Sequence, residues 1–282
     1  MYCMLKLRNN AIEAVHGISD KLYSRIVTSY DNCELIRNLE NEMLLAEDSF
    51  SRFENWCAAA NDAGEFLSSN LRSSEMYCRD FLTAFRSYVD HAKTMITQKY
   101  TKQSAQYQNL IQLLESFVGN HSSYAFVSTL RNYAQHCQTV VHGFRNVDAH
   151  GIRPVAIKSR LLEEYVKWGD ENRRYIRSFE ESLDLRSECQ RALSALWDIH
   201  LQLINELLDL DNQRNDIEFL AGFARDGYGE ENIYNFHLAK MIGMNKEPIS
   251  VEEFRQGKGD SFECVAIDWK IIFSIHDRIS RA

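Results

Sequence analysis

From Ile36 to Met95 the side chains recur in alternating steps of three and four: Ile36, Leu39, Met43, Ala46, Phe50, Phe53, Cys57, Ala60, Gly64, Leu67, Leu71, Ser74, Cys78, Phe81, Phe85, Tyr88, Ala92 and Met95. That spacing holds one stripe of an α-helix against a partner, and it is incompatible with the two-residue period of a strand. The stripe weakens from Ala60 to Ser74, where Asn61-Asp62-Ala63-Gly64 and Ser68-Ser69-Asn70 favour a turn. The pattern therefore predicts two long helices forming a hairpin, or one long interrupted helix. Leu and Ile are sparse on the stripe for an inter-subunit coiled coil, so it is read as packing within the chain. Helix breakers are rare, with only two prolines and 12 glycines in 282 residues, and the whole chain leans α.

A chain of this length forms one large or two smaller domains. At 45% hydrophobic and 26% charged it buries a core and is not a disordered chain. The net charge of −8 argues against a surface coated for nucleic acid, but a local basic site remains compatible with it because charges are screened beyond about 8–10 Å. Seven scattered cysteines with no CxxC pair point to a reducing compartment, with thiols used as small apolar side chains. No run approaches the roughly 20 apolar residues of a membrane span, and the start MYCMLKLRNN lacks the apolar core of a signal peptide. A cytoplasmic protein with no membrane association is expected.

Beyond residue 100, Tyr107, Leu110, Ile111, Leu114, Phe117 and Val118 make a helical face that Gly119-Asn120 stops. Ser122 or Ser123 is placed to cap a following helix that runs to about Cys137. His142-Gly143, Gly151 and Pro154 then break helix, and a turn-rich hairpin or loop is expected from about 139 to 158. A strong helix is predicted over about 181–210, with His200 on its apolar face as a satisfied core histidine. The tail reads as mixed: helical patches at Asn232–Ile242 and Val251–Gln256, a loop at 257–260, and a run from Phe262 to Ile275 suited to a strand and then a helix. Three segments follow. Residues 1–100 are long helices for packing or dimerisation, 101–210 a helical core, and 211–282 a C-terminal extension packed on that core.

Within 128–151, STLRNYAQHCQTVVHGFRNVDAHG, the pattern Arg-Asn-x-x-x-His occurs twice, as Arg131-Asn132…His136 and Arg145-Asn146…His150. On a helix, Val127, Leu130, Ala134 and Cys137 share one face, with Phe126 and Tyr133 at its border. Arg131 and His136 then flank the polar face about 140° apart, with Asn132 between them and next to His136. These residue types suit phosphodiester cleavage in RNA. An imidazole with an ordinary pKa of about 6.5 takes or gives a proton, a guanidinium fork holds phosphate oxygens, and an asparagine orients the ring or binds phosphate. No metal is needed, no cofactor is implied, and no spacing among Cys137, His142 and His150 matches a zinc pattern. The second copy lies in poorer helical context, between Gly143 and Gly151.

Leu130-Arg131-Asn132-Tyr133-Ala134-Gln135-His136 resembles the Arg-x4–6-His motif of the HEPN superfamily, and the Val141-His142-Gly143 that follows fits the same form. Arg145-Asn146-Val147-Asp148-Ala149-His150 resembles the motif of small HEPN toxins, departing from it at Ile152, where an aromatic often stands. The resemblance implies an α-helical bundle, and a metal-independent endoribonuclease whose homodimer brings two motifs to one cleft. It also implies a place in toxin–antitoxin or antiphage systems, with RNA as substrate and an antitoxin or defence protein as partner. Arg131, Asn132 and His136 become the catalytic candidates. Tyr133, His142, Arg145 and Lys158 would support them or bind RNA, and Arg145, Asn146 and His150 form the secondary candidate. Two other readings of the same residues stay open: a HEPN-type module that binds a nucleotide or partner without cutting, and a helical scaffold in which neither motif acts.

Overall fold

The computed structural model describes residues 2–8, 11–59, 68–137, 139–146, 152–209, 213–233, 236–241, 249–250, 262–265 and 267–281. Mainly helical architecture with small antiparallel sheets is what it shows. Ala60, Gly64 and Leu67 of the heptad stripe, His150, the Val251–Gln256 patch and the 257–260 loop lie outside the described residues. The chain divides into two compact units, one of Met1–Arg37 with Leu207–Ala282, the other Asn38–Glu206. These units cut across the three segments read from the sequence. The reason is strand pairing between the two ends of the chain, which leaves no local trace in either end.

In the first unit, strands β1 (Tyr2–Arg8) and β2 (Ala11–Ile18) form an antiparallel pair with a register shift between Met4 and Leu5. Strand β6 (Phe236–Met241) pairs antiparallel with the other edge of β1, and β7 (Ile249–Ser250) and β8 (Phe262–Val265) complete the order β7-β2-β1-β6-β8. The patch Asn232–Ile242, expected to be helical, is thus mostly strand, because pairing with β1 satisfies a backbone that helix propensity alone would leave helical. The expected strand-then-helix at Phe262–Ile275 is present as β8 and the C-terminal helix α10 (Trp269–Arg281). The first half of helix α1 (Asp20–Ala59) starts at Ser19, whose Oγ accepts the Leu22 N–H at 3.2 Å. Arg25 of α1 pairs with Asp216 on α8 (Gln213–Tyr228) and lies 3.9 Å over the Phe219 ring. Helix α9 is the single turn Glu230–Ile233.

In the second unit, the remainder of α1 packs antiparallel to α2 (Ser68–Lys99). Contacts run in opposite directions along the two helices: Glu42 to His91 at 2.8 Å, Phe50 to Phe81 at 5.5 Å, and Trp56 to Tyr77 at 6.3 Å between ring centroids. The hairpin reading of the heptad stripe is borne out on these residues. From Leu39 to Cys57 and from Ser74 to Ala92 every stripe position is buried. At the ends the stripe drifts off: Leu71 is exposed, and Ile96 rather than Met95 is buried. A straight helix gains about 20° per heptad on a 3.5-residue repeat, so the buried position slips by one residue.

Helix α3 (Ala105–Asn120) begins at Ser104, whose Oγ accepts the Tyr107 N–H at 3.1 Å. Helix α4 (Ser122–His136) packs on α2 and α3. The expected hairpin follows as β3 (Gly143–Asn146) paired antiparallel with β4 (Ile152–Ile157), to which the short β5 (Ser182–Asp184) adds. Between β4 and β5 lie α5 (Lys158–Glu164) and α6 (Asp170–Arg177). The last helix of the unit is α7 (Leu185–Asp209), capped by Asp184, whose Oδ1 accepts the Ser187 N–H at 3.1 Å. His200 on α7 is fully buried, its Nδ1 3.0 Å from Tyr88 Oη, and it is the core histidine expected.

Candidate functional site

The candidate site is the polar flank of α4. Its buried arc is made by Phe126, Val127, Leu130, Tyr133 and Ala134, all of them closed off from solvent. Packing is heavily aromatic on this side. Phe126 stacks on Trp168 at 5.7 Å, Tyr133 on Trp168 at 5.9 Å, and Tyr165 meets both Tyr133 and Trp168 edge-on. Tyr165 and Trp168 belong to the connection between α5 and α6, and the Trp168 indole N–H donates to Leu161 O at 2.6 Å. The arc is wider than the four-residue stripe expected, because this connection covers the border that would otherwise hold Phe126 and Tyr133.

Opposite that arc, Asn132 and His136 are exposed and have no hydrogen-bond or ion-pair partner among the described residues. Arg131 is half-buried at the far edge of the polar face and donates from Nη1 to Gln135 Oε1. Its buried Nε has no partner among the described residues. At 100° per residue Arg131 and His136 stand about 140° apart around the helix. Within one chain, then, Asn132 and His136 are neighbours, and Arg131 stands at the other edge of the polar face, bonded to Gln135, which lies between.

Tyr133 is a packing residue and not a base-stacking one. It is fully buried, and its hydroxyl donates to Glu164 Oε2 at 2.5 Å. Burial, and then the Glu164 hydrogen bond, push its pKa up, so it stays protonated. His142 is likewise engaged rather than free. The Ile157 N–H donates to its Nδ1 at 2.8 Å, so Nε2 carries the proton and points it at Thr139 O, 2.9 Å away. Burial, then the Arg160 charge, lower its pKa and favour this neutral form. Lys158 is half-buried and donates to Phe179 O at 2.6 Å, which ties it to the connection after α6. Arg145 is exposed on β3, opposite Arg153 of β4. Asn146 ends β3 in register with Ile152. The two motif copies thus lie on different elements, α4 and β3. No group of three metal-ligating side chains occurs among the described residues.

Ser122 and Ser123 do not cap α4. The N-cap is His121, which makes no side-chain cap hydrogen bond, and both serines lie inside the helix. Ser123 instead joins a polar cluster. Its Oγ lies 3.0 Å from Tyr175 Oη and accepts from Arg191 Nε at 3.2 Å. The Tyr175 hydroxyl donates to Glu188 Oε2 at 2.8 Å, and Arg191 pairs with Glu188 Oε1. Glu188 is fully buried, so these donors compensate a charge that would otherwise be costly to desolvate.

Two residues that hold the site were not singled out from the sequence. Glu75 of α2 accepts the Val140 N–H at 2.8 and 3.0 Å and the Val141 N–H at 2.8 Å, and it pairs with Arg79 at 2.5 Å. It therefore fixes the segment that leads from His136 into β3. Asn172 of α6 donates to Thr129 Oγ1 at 2.8 Å and to Ala125 O at 3.3 Å, fastening α6 onto α4. A lone Glu or Asn on an amphipathic helix carries no signal for such long-range bonds. No family model, curated protein or solved structure matches the chain, so the site stands on its own geometry.

Proposed function

We propose that this protein is a metal-independent endoribonuclease of HEPN type, a toxin or antiphage-defence effector, in which Arg131, Asn132 and His136 act on RNA. The observation that carries the reading is the exposed pair Asn132 and His136, with no partner among the described residues, on a helix whose opposite face is fixed in an aromatic core. An imidazole on so firmly held a helix has a set position and a free ring, as proton transfer requires. In the reaction, the 2′-oxygen of a ribose attacks the adjacent phosphorus as the bond to the 5′-oxygen breaks. One imidazole removes the 2′-hydroxyl proton and one protonated imidazole supplies the leaving oxygen. Arg131, swung from Gln135, neutralises the charge on the phosphoryl oxygens, and Asn132 orients His136.

A single chain offers one exposed motif histidine on α4, and the mechanism uses two proton-transfer groups. A homodimer with a two-fold axis at α4 supplies the second, and it brings Arg131 of one copy toward His136 of the other. RNA cleavage by the wild type and by the Arg131→Ala and His136→Ala variants tests the proposal. Loss of at least a hundredfold in each folded variant is the expected result. Equal cleavage by all three proteins would remove these residues from the chemistry. RNA binding without cleavage would favour a silent binding module on the same helix.

A further inference from the structure

We infer that the groove between α4 and α6 is the track for a single-stranded RNA running toward His136; the inference rests on the ribonuclease reading and extends it to substrate binding. The groove has a volume of about 340 Å³ and is lined by Ser122 and Ala125 of α4 and by Glu171, Asn172, Arg174 and Ser178 of α6 and its C-terminal turn. Helical geometry links it to the proposed catalytic face. Ser122, Ala125, Thr129, Asn132 and His136 follow one another in steps of three and four, so they form a single stripe along α4. Asn172 ties α6 to the first half of that stripe, at Ala125 and Thr129. The second half, Asn132 and His136, is exposed. The stripe therefore runs for about 21 Å, from the α6 groove at one end to the catalytic candidates at the other.

Charge favours a polyanion. Residues 153–178 hold seven Lys or Arg against four Asp or Glu, whereas the whole chain carries 40 acids against 32 bases. Arg153, Lys158, Arg160 and Arg173 of that segment are occupied by Asp184, by Phe179 O, by Glu164, and by Val166 O and Trp168 O, respectively. Arg174, on the groove wall, and Arg177, one turn further along α6 and outside the lining, are exposed and have no ion pair with any described residue. Exposed guanidinium groups of that kind bind phosphates along a flexible backbone, and the exposed Ser122 and Ser178 of the groove suit ribose and base edges. Glu171 on the same groove wall opposes a purely electrostatic fit, so the binding expected is moderate and salt-sensitive.

Fluorescence anisotropy with a labelled single-stranded oligoribonucleotide tests this in the His136→Ala background, where the probe survives. Replacing both Arg174 and Arg177 by Ala should weaken binding about tenfold and lower the slope of log affinity against log salt by about 1.4, near 0.7 for each phosphate no longer neutralised. Lys21→Ala with Lys270→Ala, in the other unit, should change neither. Both arginines are exposed, so thermal melting of the double variant should match its parent. Unchanged affinity and slope in a folded double variant would overturn the track. So would poly-glutamate displacing the probe as readily as unlabelled RNA, since the groove would then be a general anionic-peptide surface. Loss of binding in a protein that never cleaves RNA would keep the track and sink the ribonuclease. Cleavage with binding indifferent to both arginines would do the reverse.

Discussion

Tyr133 and His200 show how much of this chain's polar chemistry is spent on structure. Both sit in aromatic surroundings with a hydrogen-bond partner close by, Glu164 and Tyr88 respectively. Tyr133→Phe removes a donor and leaves the Glu164 carboxylate half solvated, so a loss of about 1 kcal/mol in urea unfolding is expected, with RNA cleavage retained. A collapse of cleavage without loss of stability would return Tyr133 to the site. His200 gives a pH signature. Burial lowers its pKa from the ordinary 6.5 to about 4, so the unfolded chain binds a proton that the folded one refuses. The stability this group contributes is whole above about pH 6.5 and falls as pH drops toward 4, reaching a loss of about 3 kcal/mol. His200→Gln keeps an acceptor for Tyr88 and does not titrate. Urea midpoints from pH 7 to pH 4 should therefore fall more steeply for the wild type than for the variant, and parallel curves would show that His200 is not the group responsible.

At the scale of elements, the helices were legible in the sequence and the contacts that orient them were not. The three-four stripe of 36–95 gave the α1–α2 hairpin because each apolar residue reports its own helix face. The turn-rich stretch after Cys137 gave the β3–β4 hairpin through Gly143, Gly151 and Pro154. The β1–β2 hairpin and β6 escaped, since the pairing of β1 with β6 joins residues more than 200 positions apart. The polar flank of α4 was readable from angles alone, but the Glu75 clamp beyond it was not. Val140 is fully buried, and its N–H and that of Val141 have their acceptor on a different helix, α2. Glu75→Ala should cost about 2–3 kcal/mol, because it strands two buried donors, and Glu75→Gln should recover part of this through one amide oxygen. Amide exchange at Val140 and Val141 is the local readout. Faster exchange there, with the α1–α2 core still protected, is expected; uniform acceleration would mean that Glu75 supports the whole bundle and not this segment.

For the molecule as a whole, the roughly 140° between Arg131 and His136 on α4 favours the proposed shared cleft over a site within one chain. If one cleft requires the histidines of both copies, one to accept and one to donate a proton, a dimer with a single His136→Ala chain is inactive. Active dimers then scale with the square of the wild-type fraction. When wild-type and His136→Ala chains exchange subunits at one to one, about a quarter of dimers carry two histidines, and activity per wild-type chain falls by about half. At one to nine it falls about tenfold. Should each chain work alone, or each copy form a complete site, activity would follow the number of wild-type chains in a straight line. Co-purified mixtures at several ratios, assayed at fixed total concentration, separate the square from the line. A square law joined to a dimer mass in sedimentation supports the shared cleft. A line would mean that one His136 suffices for a cleft, while the Arg131 that meets it, unaltered in the variant chain, still comes from the partner copy, as the roughly 140° between the two residues on α4 favours.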